Sequence, residues 1–291
     1  MYFKGSMVAL VTPMNEEGSI DKKALQELVE WHIHAKTDAI VAAGTTGESS
    51  VLDSDEQAEV VKLVVKQAAG RLPVIAGSGT ISTQHTLKLS DNAKRAGADA
   101  CLIVTPYYNK PPQNGLYLHY KTIAEKIDLP IILYNVPGRT ACDMLPETVS
   151  RLSTIKNIIG IKEATGKVER AKEIIASCDS SFEVYSGDDA TALDLMLAGA
   201  KGVISVTANI TPLKMHEMCM AALTGNHSIA KKLNTELMVL HQQLFLESNP
   251  IPTKWALHMM GKIKNGIRLP LLSLDKKFHQ KIKEAMKNAG V

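Results

Sequence analysis

Short apolar runs alternate along the chain with longer segments in which polar and apolar residues interleave. Eight runs stand out: MVALVTP (7–13), DAIVAAG (38–44), PVIAGSG (73–79), ACLIVTP (100–106), PIILYNVP (130–137), NIIGIKEAT (157–165), FEVYSGDD (182–189) and GVISVTAN (202–209). Each is nearly continuous in Val, Ile and Leu before it reaches polar residues. Strands of a parallel sheet, buried on both faces, have this pattern. The intervening segments have helical periodicity. In LDSDEQAEVVKLVVKQAAG, Asp53 or Ser54 is the expected N-cap and Gly70 the expected C-cap. SRLSTIKN predicts another helix, with Pro146 at its start.

Eight strands alternating with helices, spread over about 220 residues, predict an α/β fold of the (β/α)8 TIM-barrel type. A doubly wound open sheet is the rival. It often carries a Gly-rich dinucleotide turn after its first strand, but here that strand runs into VTPMNEEGS, without G-x-G-x-x-G. Strand patterns stop after residue 209. Residues 211–225 predict the eighth barrel helix. Residues 226–291 predict a C-terminal helical appendage, with apolar positions at Leu233, Leu237, Leu240 and Leu244 and breaks at Asn249–Pro252 and Leu269–Pro270. The expected division is a barrel over 1–225 and a helical domain over 226–291.

Composition narrows the function. Of 291 residues, 45% are hydrophobic and 22% charged, which suits a globular protein with a sizeable core. The net charge is only +3, its signs are mixed, and no dense basic run occurs, so neither nucleic acid nor an anionic membrane is an expected partner. The early apolar run Met7–Val11 is too short to span a bilayer and lacks a signal-peptide layout. Cys101, Cys142, Cys178 and Cys219 are far apart, without metal or redox spacing; reduced thiols in the cytoplasm are the expectation.

Barrel enzymes carry their chemistry at the carboxyl ends of the strands. Those ends are rich in hydroxyls and glycines: Thr12; Gly44, Thr45, Thr46 and Glu48; Ser78; Tyr107 and Tyr108; Tyr134 and Arg139; Lys162 and Glu163; Gly187, Asp188 and Asp189; Ile204 and Ser205. No histidine is among them, which argues against a metal centre of His and carboxylate ligands. His32 and His34 are the closest pair, but residues two apart on a helix do not face each other. A phosphate site is disfavoured by Asp188 and Asp189, and GTTGES lacks the lysine of a P-loop.

Lys162 is the anomaly, because no other lysine or arginine falls inside a strand run. A structural lysine would snorkel outward or pair with a carboxylate. The adjacent Glu163 points to the opposite face of the strand. Desolvation at a barrel mouth favours the neutral amine, a nucleophile able to form a Schiff base with a ketone. The iminium would then acidify the neighbouring carbon. Tyr134, ending the preceding strand, could shuttle protons through its phenol, with the hydroxyls of Thr45 and Tyr108 beside it. An ordinary core-edge tyrosine is the competing reading.

GTTGES (44–49), YNVPGRT (134–140) and GIKEATG (160–166) resemble the motifs of the dihydrodipicolinate synthases, a family of pyruvate-dependent class I aldolases of lysine biosynthesis. The resemblance extends along the chain through VTPYYNKPPQNGLY (104–117) and NPIPTKWA (249–256). It implies that Lys162 forms an imine with pyruvate and that Tyr134 is the central proton donor and acceptor. It further implies that Thr45 relays protons to Tyr108 from a neighbouring subunit, and that Thr46, Gly187 and the backbone at Ile204 help to hold pyruvate. Arg139 would bind the carboxylate of L-aspartate 4-semialdehyde, the second substrate. No cofactor or metal is implied, and a homotetramer built as a dimer of dimers is. N-acetylneuraminate lyase and keto-deoxy sugar acid aldolases are similar too, but generally lack the arginine five residues after the tyrosine. A non-catalytic keto-acid-binding regulatory barrel is the alternative of another class. Lysine-inhibited members typically place His, His, Asn and Glu in an effector pocket where this chain has Ser54, Gln57, Ile81 and His85; Ser49, Ser50 and Tyr107 remain. That departure predicts weak inhibition by lysine, or none.

Overall fold

The computed structural model describes residues 3–291. Its eight strands are β1 (Gly5–Ala9), β2 (Ala39–Ala42), β3 (Val74–Gly77), β4 (Ala100–Val104), β5 (Ile131–Asn135), β6 (Ile158–Glu163), β7 (Glu183–Ser186) and β8 (Gly202–Ser205). All pair in parallel, in sequence order, and β8 pairs with β1 to close a barrel. The helices between strands are α1 (Lys22–His34), α2 (Ser54–Ala68), α3 (Thr83–Ala96), α4 (Gln113–Lys126), the single turn α5 (Pro137–Thr140), α6 (Pro146–Ser153), α7 (Val168–Ser177) and α8 (Ala192–Leu197). After β8 come α9 (Pro212–Leu223), α10 (His227–Gln243), α11 (Ile251–Met259) and α12 (His279–Asn288).

Two apolar layers hold the barrel. Val8, Ile40, Ile103, Leu133, Ile161 and Val203 face outward into the helix shell, while Met7, Val41, Leu102, Ile132, Tyr134 and Ile204 fill the interior. Side chains alternate across a strand, so neighbours such as Leu133 and Tyr134 serve different layers. Full burial of each aliphatic side chain contributes about 1.5–3 kcal/mol.

Helix α2 shows how local sequence sets an element. Asp53 accepts from the N–H groups of Asp55 and Glu56, and Glu56 answers to the Asp53 N–H, a complete capping box. Val60, Val61, Val64 and Ala68 then fall on the buried face. The helix ends one residue earlier than Gly70: Ala69, at φ +49°, caps it through its N–H to Val65 O. The strands also stop short of their apolar runs at the carboxyl end. There the backbone leaves the ladder, as at Ala43 (φ +52°) after β2 and at Ser186, whose hydroxyl bonds the Asp188 carbonyl after β7. These departures build the loops that carry the site.

The C-terminal helices are fastened to the barrel. Helix α10 packs on α9 and α12. Arg268, in the segment between α11 and α12, forms a fork on Glu56 (2.5 and 2.7 Å) and donates to the carbonyls of Gly18 and Val51 (both 2.8 Å). This fork holds the Glu56 carboxyl below its usual range and grips the start of α2.

Candidate active site

Two buried lysines invite comparison. Lys254, on α11, is 4% exposed and forms an ion pair with the fully buried Glu48 carboxylate. Burial lowers the Lys254 pKa from the ordinary ammonium value, and Glu48 opposes that shift. Lys162, on β6, is 5% exposed, and among the described residues it forms no ion pair. Its Nζ lies 4.3 Å from the centre of the Tyr134 ring. Tyr134 and Lys162 are direct partners in the β5–β6 ladder, so their side chains leave the same face at the same height. A buried amine without a carboxylate, held against a phenol, is an arrangement that a purely structural role does not explain.

Neighbouring positions keep that register. Asn135 and Glu163 are the next ladder pair and point away from the cavity. Asn135 Nδ2 donates to Glu163 (3.2 Å) and to Asp143 (2.9 Å), and Arg170 clamps Asp143 at 2.9 and 3.0 Å. Glu163 also accepts from the Thr165 N–H at 2.7 Å, which turns the chain after β6. Gly187, after β7, makes room for the lysine. A Cβ there would sit 2.5 Å from Ala164 Cβ and 2.9 Å from Lys162 Cε, contacts that real side chains do not make.

Lys162, Tyr134, Thr45, Thr46, Arg139 and Gly187 all line one cavity of about 130 Å³ at the carboxyl end of the barrel. Arg139 is exposed at its rim. Ile204 lies in the packed interior layer, 1% exposed, and its side chain is not part of the cavity wall. Tyr108 is 88% exposed, in left-handed backbone (φ +69°), and does not line the cavity of its own chain. Ser49, Ser50, Ser54, Gln57, Ile81, His85 and Tyr107 line a second cavity of about 610 Å³, which shares Thr45, Ser49, Gly79, Val104, Val136 and Arg139 with the first. In it Ser54 Oγ meets His85 Nε2 at 3.1 Å, and the Gln57 amide donates to the Gly77 carbonyl.

The structure adds residues to which the sequence reading gave no role. Phe245 and Asn249 reach the first cavity from the C-terminal segment. Asp189 does not face a ligand; its Oδ2 accepts from the N–H groups of Val206 and Thr207, both at 2.9 Å, and shapes the turn after β8. Asp188 accepts from the Thr191 N–H and hydroxyl and also lines the first cavity. All nine histidines lie on helices, and among the described residues no three His, Cys, Asp or Glu side chains converge.

An eight-stranded barrel that ends in a buried, unpaired lysine beside a phenol has the layout of a class I, imine-forming aldolase. Comparison with known proteins makes the assignment specific. Residues 2–289 match the model of the Dihydrodipicolinate synthetase family, and the chain belongs to that family. The 4-hydroxy-tetrahydrodipicolinate synthase of Pseudomonas savastanoi pv. phaseolicola is 60% identical over 287 residues, covering 99% of this chain and 98% of that one. Among solved structures, the chloride-inhibited dihydrodipicolinate synthase of Acinetobacter baumannii, complexed with pyruvate, superposes with a TM-score of 0.98 at 53% identity, covering 99% of both chains. The synthase of Aquifex aeolicus gives 0.97 at 44%, covering 99% of this chain and 98% of that one.

Proposed function

We propose that the protein is a lyase of the 4-hydroxy-tetrahydrodipicolinate synthase type, condensing pyruvate with L-aspartate 4-semialdehyde on the route to diaminopimelate and lysine. The observation that carries this reading is Lys162 itself: buried, free of ion pairs, and in ladder register with Tyr134. The Lys162 amine adds to the keto carbon of pyruvate, and loss of water leaves an iminium. That cation draws electrons from the adjacent methyl group, which loses a proton to give an enamine. The enamine carbon attacks the aldehyde carbon, whose oxygen takes up a proton. Attack by the substrate amine on the former keto carbon closes the ring and frees Lys162. Movement of these protons falls to Tyr134 and Thr45, a reading supported by both lining the cavity with Lys162. Arg139 at the rim offers a planar fork to the semialdehyde carboxylate. The iminium is the electron sink, so the chemistry calls for no cofactor or metal.

Tyr108 is the residue the chain does not use in its own cavity. Its exposure supports a role in the site of a neighbouring subunit, within a homotetramer, as the resemblance implies. Among the described residues no helix is long and apolar enough to cross a membrane. The four cysteines are free thiols, which suits a reducing cytoplasm.

Borohydride reduction in the presence of pyruvate tests the reading. A reduced adduct on the peptide containing Lys162 is expected, and Lys162→Ala should abolish it. Arg139→Ala should keep the adduct and impair use of the semialdehyde. Wild-type protein that gives no adduct would overturn the mechanism. Faster turnover with N-acetylmannosamine than with the semialdehyde would move the chain to the sugar-acid branch.

A further inference from the structure

Asn249 stands at the junction of the C-terminal segment and the cavity and is 5% exposed. Its Nδ2 donates to Thr46 Oγ1 at 2.9 Å, in a pair that is fully desolvated. Its Oδ1 accepts from Thr253 Oγ1 at 3.4 Å, which fixes the orientation of the amide. Its backbone carbonyl accepts from Arg139 Nη2 at 3.3 Å. One residue therefore touches both Thr46, which the resemblance implies helps to hold pyruvate, and Arg139, assigned to the semialdehyde carboxylate.

The chemistry of the Thr46 contact is directional. An amide nitrogen only donates, whereas a hydroxyl has one hydrogen and two acceptor lone pairs. With Asn249 supplying the hydrogen between them, Thr46 Oγ1 is an acceptor on that side, and its own hydrogen is left to donate elsewhere. Thr46 lines the cavity that holds Lys162. We propose that Asn249 is a positioning residue for the keto acid: it sets the polarity of the Thr46 hydroxyl, turning Thr46 into a donor to the ligand carboxylate, and it parks Arg139 at the rim. The proposal rests on the imine reading above and assigns to the helical segment a part in substrate recognition.

The support behind Asn249 is built to keep it still. Thr253, which holds its amide, is fully buried on the first turn of α11. Lys254 follows on the same helix and pairs with Glu48, in the loop that also carries Thr45 and Thr46. Glu48 accepts in addition from the Arg268 N–H at 3.2 Å. Loop and helix are thus tied by an ion pair on one side and by Asn249–Thr46 on the other.

The test is a double-mutant cycle read by pyruvate dependence of borohydride trapping and by steady-state kinetics. Loss of a hydrogen bond to a charged ligand weakens binding by about tenfold or more. Asn249→Ala should therefore raise half-saturating pyruvate by about tenfold, with trapping still complete at saturation and kcat within about threefold of wild type. Thr46→Val, which removes the hydroxyl itself, should raise half-saturating pyruvate by at least as much. The double variant should be no worse than Thr46→Val alone, because Asn249 acts through that hydroxyl. The isosteric Asn249→Asp keeps the packing and reverses the hydrogen bond, so it should also raise half-saturating pyruvate. A merely structural asparagine predicts a near-normal value for this isostere. Half-saturation within twofold of wild type in Asn249→Asp, or losses that multiply in the double variant, would overturn the proposal while leaving the imine mechanism intact. No adduct in wild-type protein would overturn both.

Discussion

Lys254→Met should destabilise the protein through the charge it leaves behind. Lys254 and Glu48 are 4% and 2% exposed, and the mutation strands the Glu48 carboxylate in the interior. Removing one partner of a buried pair costs about 3–5 kcal/mol. The Arg268 N–H still bonds the other carboxylate oxygen, which favours the lower part of that range. Unfolding entropy of about 2.1 cal/mol/K per residue over this chain gives about 0.6 kcal/mol/K. The expected drop in Tm is thus about 5 to 8 °C. Adding Glu48→Gln removes the stranded charge and keeps an acceptor for Arg268, so the double variant should recover more than half of the loss. The assay is thermal unfolding by circular dichroism at one protein concentration, since any subunit association would add a concentration term. A single variant within about 2 °C of wild type, or a double variant less stable than the single, would refute the argument.

Three further outcomes follow from particular contacts. Gly187→Ala places a Cβ 2.9 Å from Lys162 Cε and 2.5 Å from Ala164 Cβ; at an overpacking cost of about 1–3 kcal/mol, imine trapping should slow by roughly 10- to 100-fold. Trapping within threefold of wild type would contradict the fit described for Lys162. Burial, aided by the charge of Lys262, lowers the His32 pKa to about 3, and burial lowers that of His119 to about 4, so the unfolded chain binds more protons between those values and the usual 6.5. The stability they permit at neutral pH is lost as pH falls below about 6.5, by about 4 kcal/mol in all by pH 5. Denaturant titrations should show about half of that loss removed in His32→Gln, and an unchanged slope would refute it. Ile81 and His85 in the second cavity offer no carboxylate to a ligand ammonium, and Asp53, the carboxylate that does line it, is taken up by the Asp55 and Glu56 N–H groups, so L-lysine should inhibit weakly or not at all. Half-inhibition at sub-millimolar lysine would show that the cavity binds it by other means.

How much of this was legible in the chain depends on the range over which each feature is encoded. The strands were visible because a parallel strand covered on both faces must be apolar almost throughout, and the covering requirement is local. Lys162 was visible for the same reason: it breaks a local rule, and such conflicts mark functional positions. Tyr134 then followed from strand order alone, and the ladder pairs it directly with Lys162. The extents of the runs were read too long because apolar content continues into the loops, while Ala43 and Ser186 turn the backbone out of the ladder for reasons of geometry.

The partners that complete the cavity carry no such local mark. Asn249 sits 203 positions from Thr46, and Lys254 sits 206 from Glu48. Nothing in the spacing of a helix beginning IPTKWA announces that its threonine holds an amide, its lysine a loop and its preceding asparagine a hydroxyl. Asp189 misled in the opposite direction, since an exposed strand-end carboxylate and one that accepts two backbone N–H groups look alike until the turn after β8 is seen. The sequence therefore divides the chain where periodicity changes, near residue 226. Contacts cross that division, because Asn249, Lys254 and Arg268 each bond to the loop that carries Thr45 and Thr46. A barrel cut free of its last 66 residues would keep Lys162 and Tyr134 and lose the groups that hold the loop of Thr45 and Thr46 beside them.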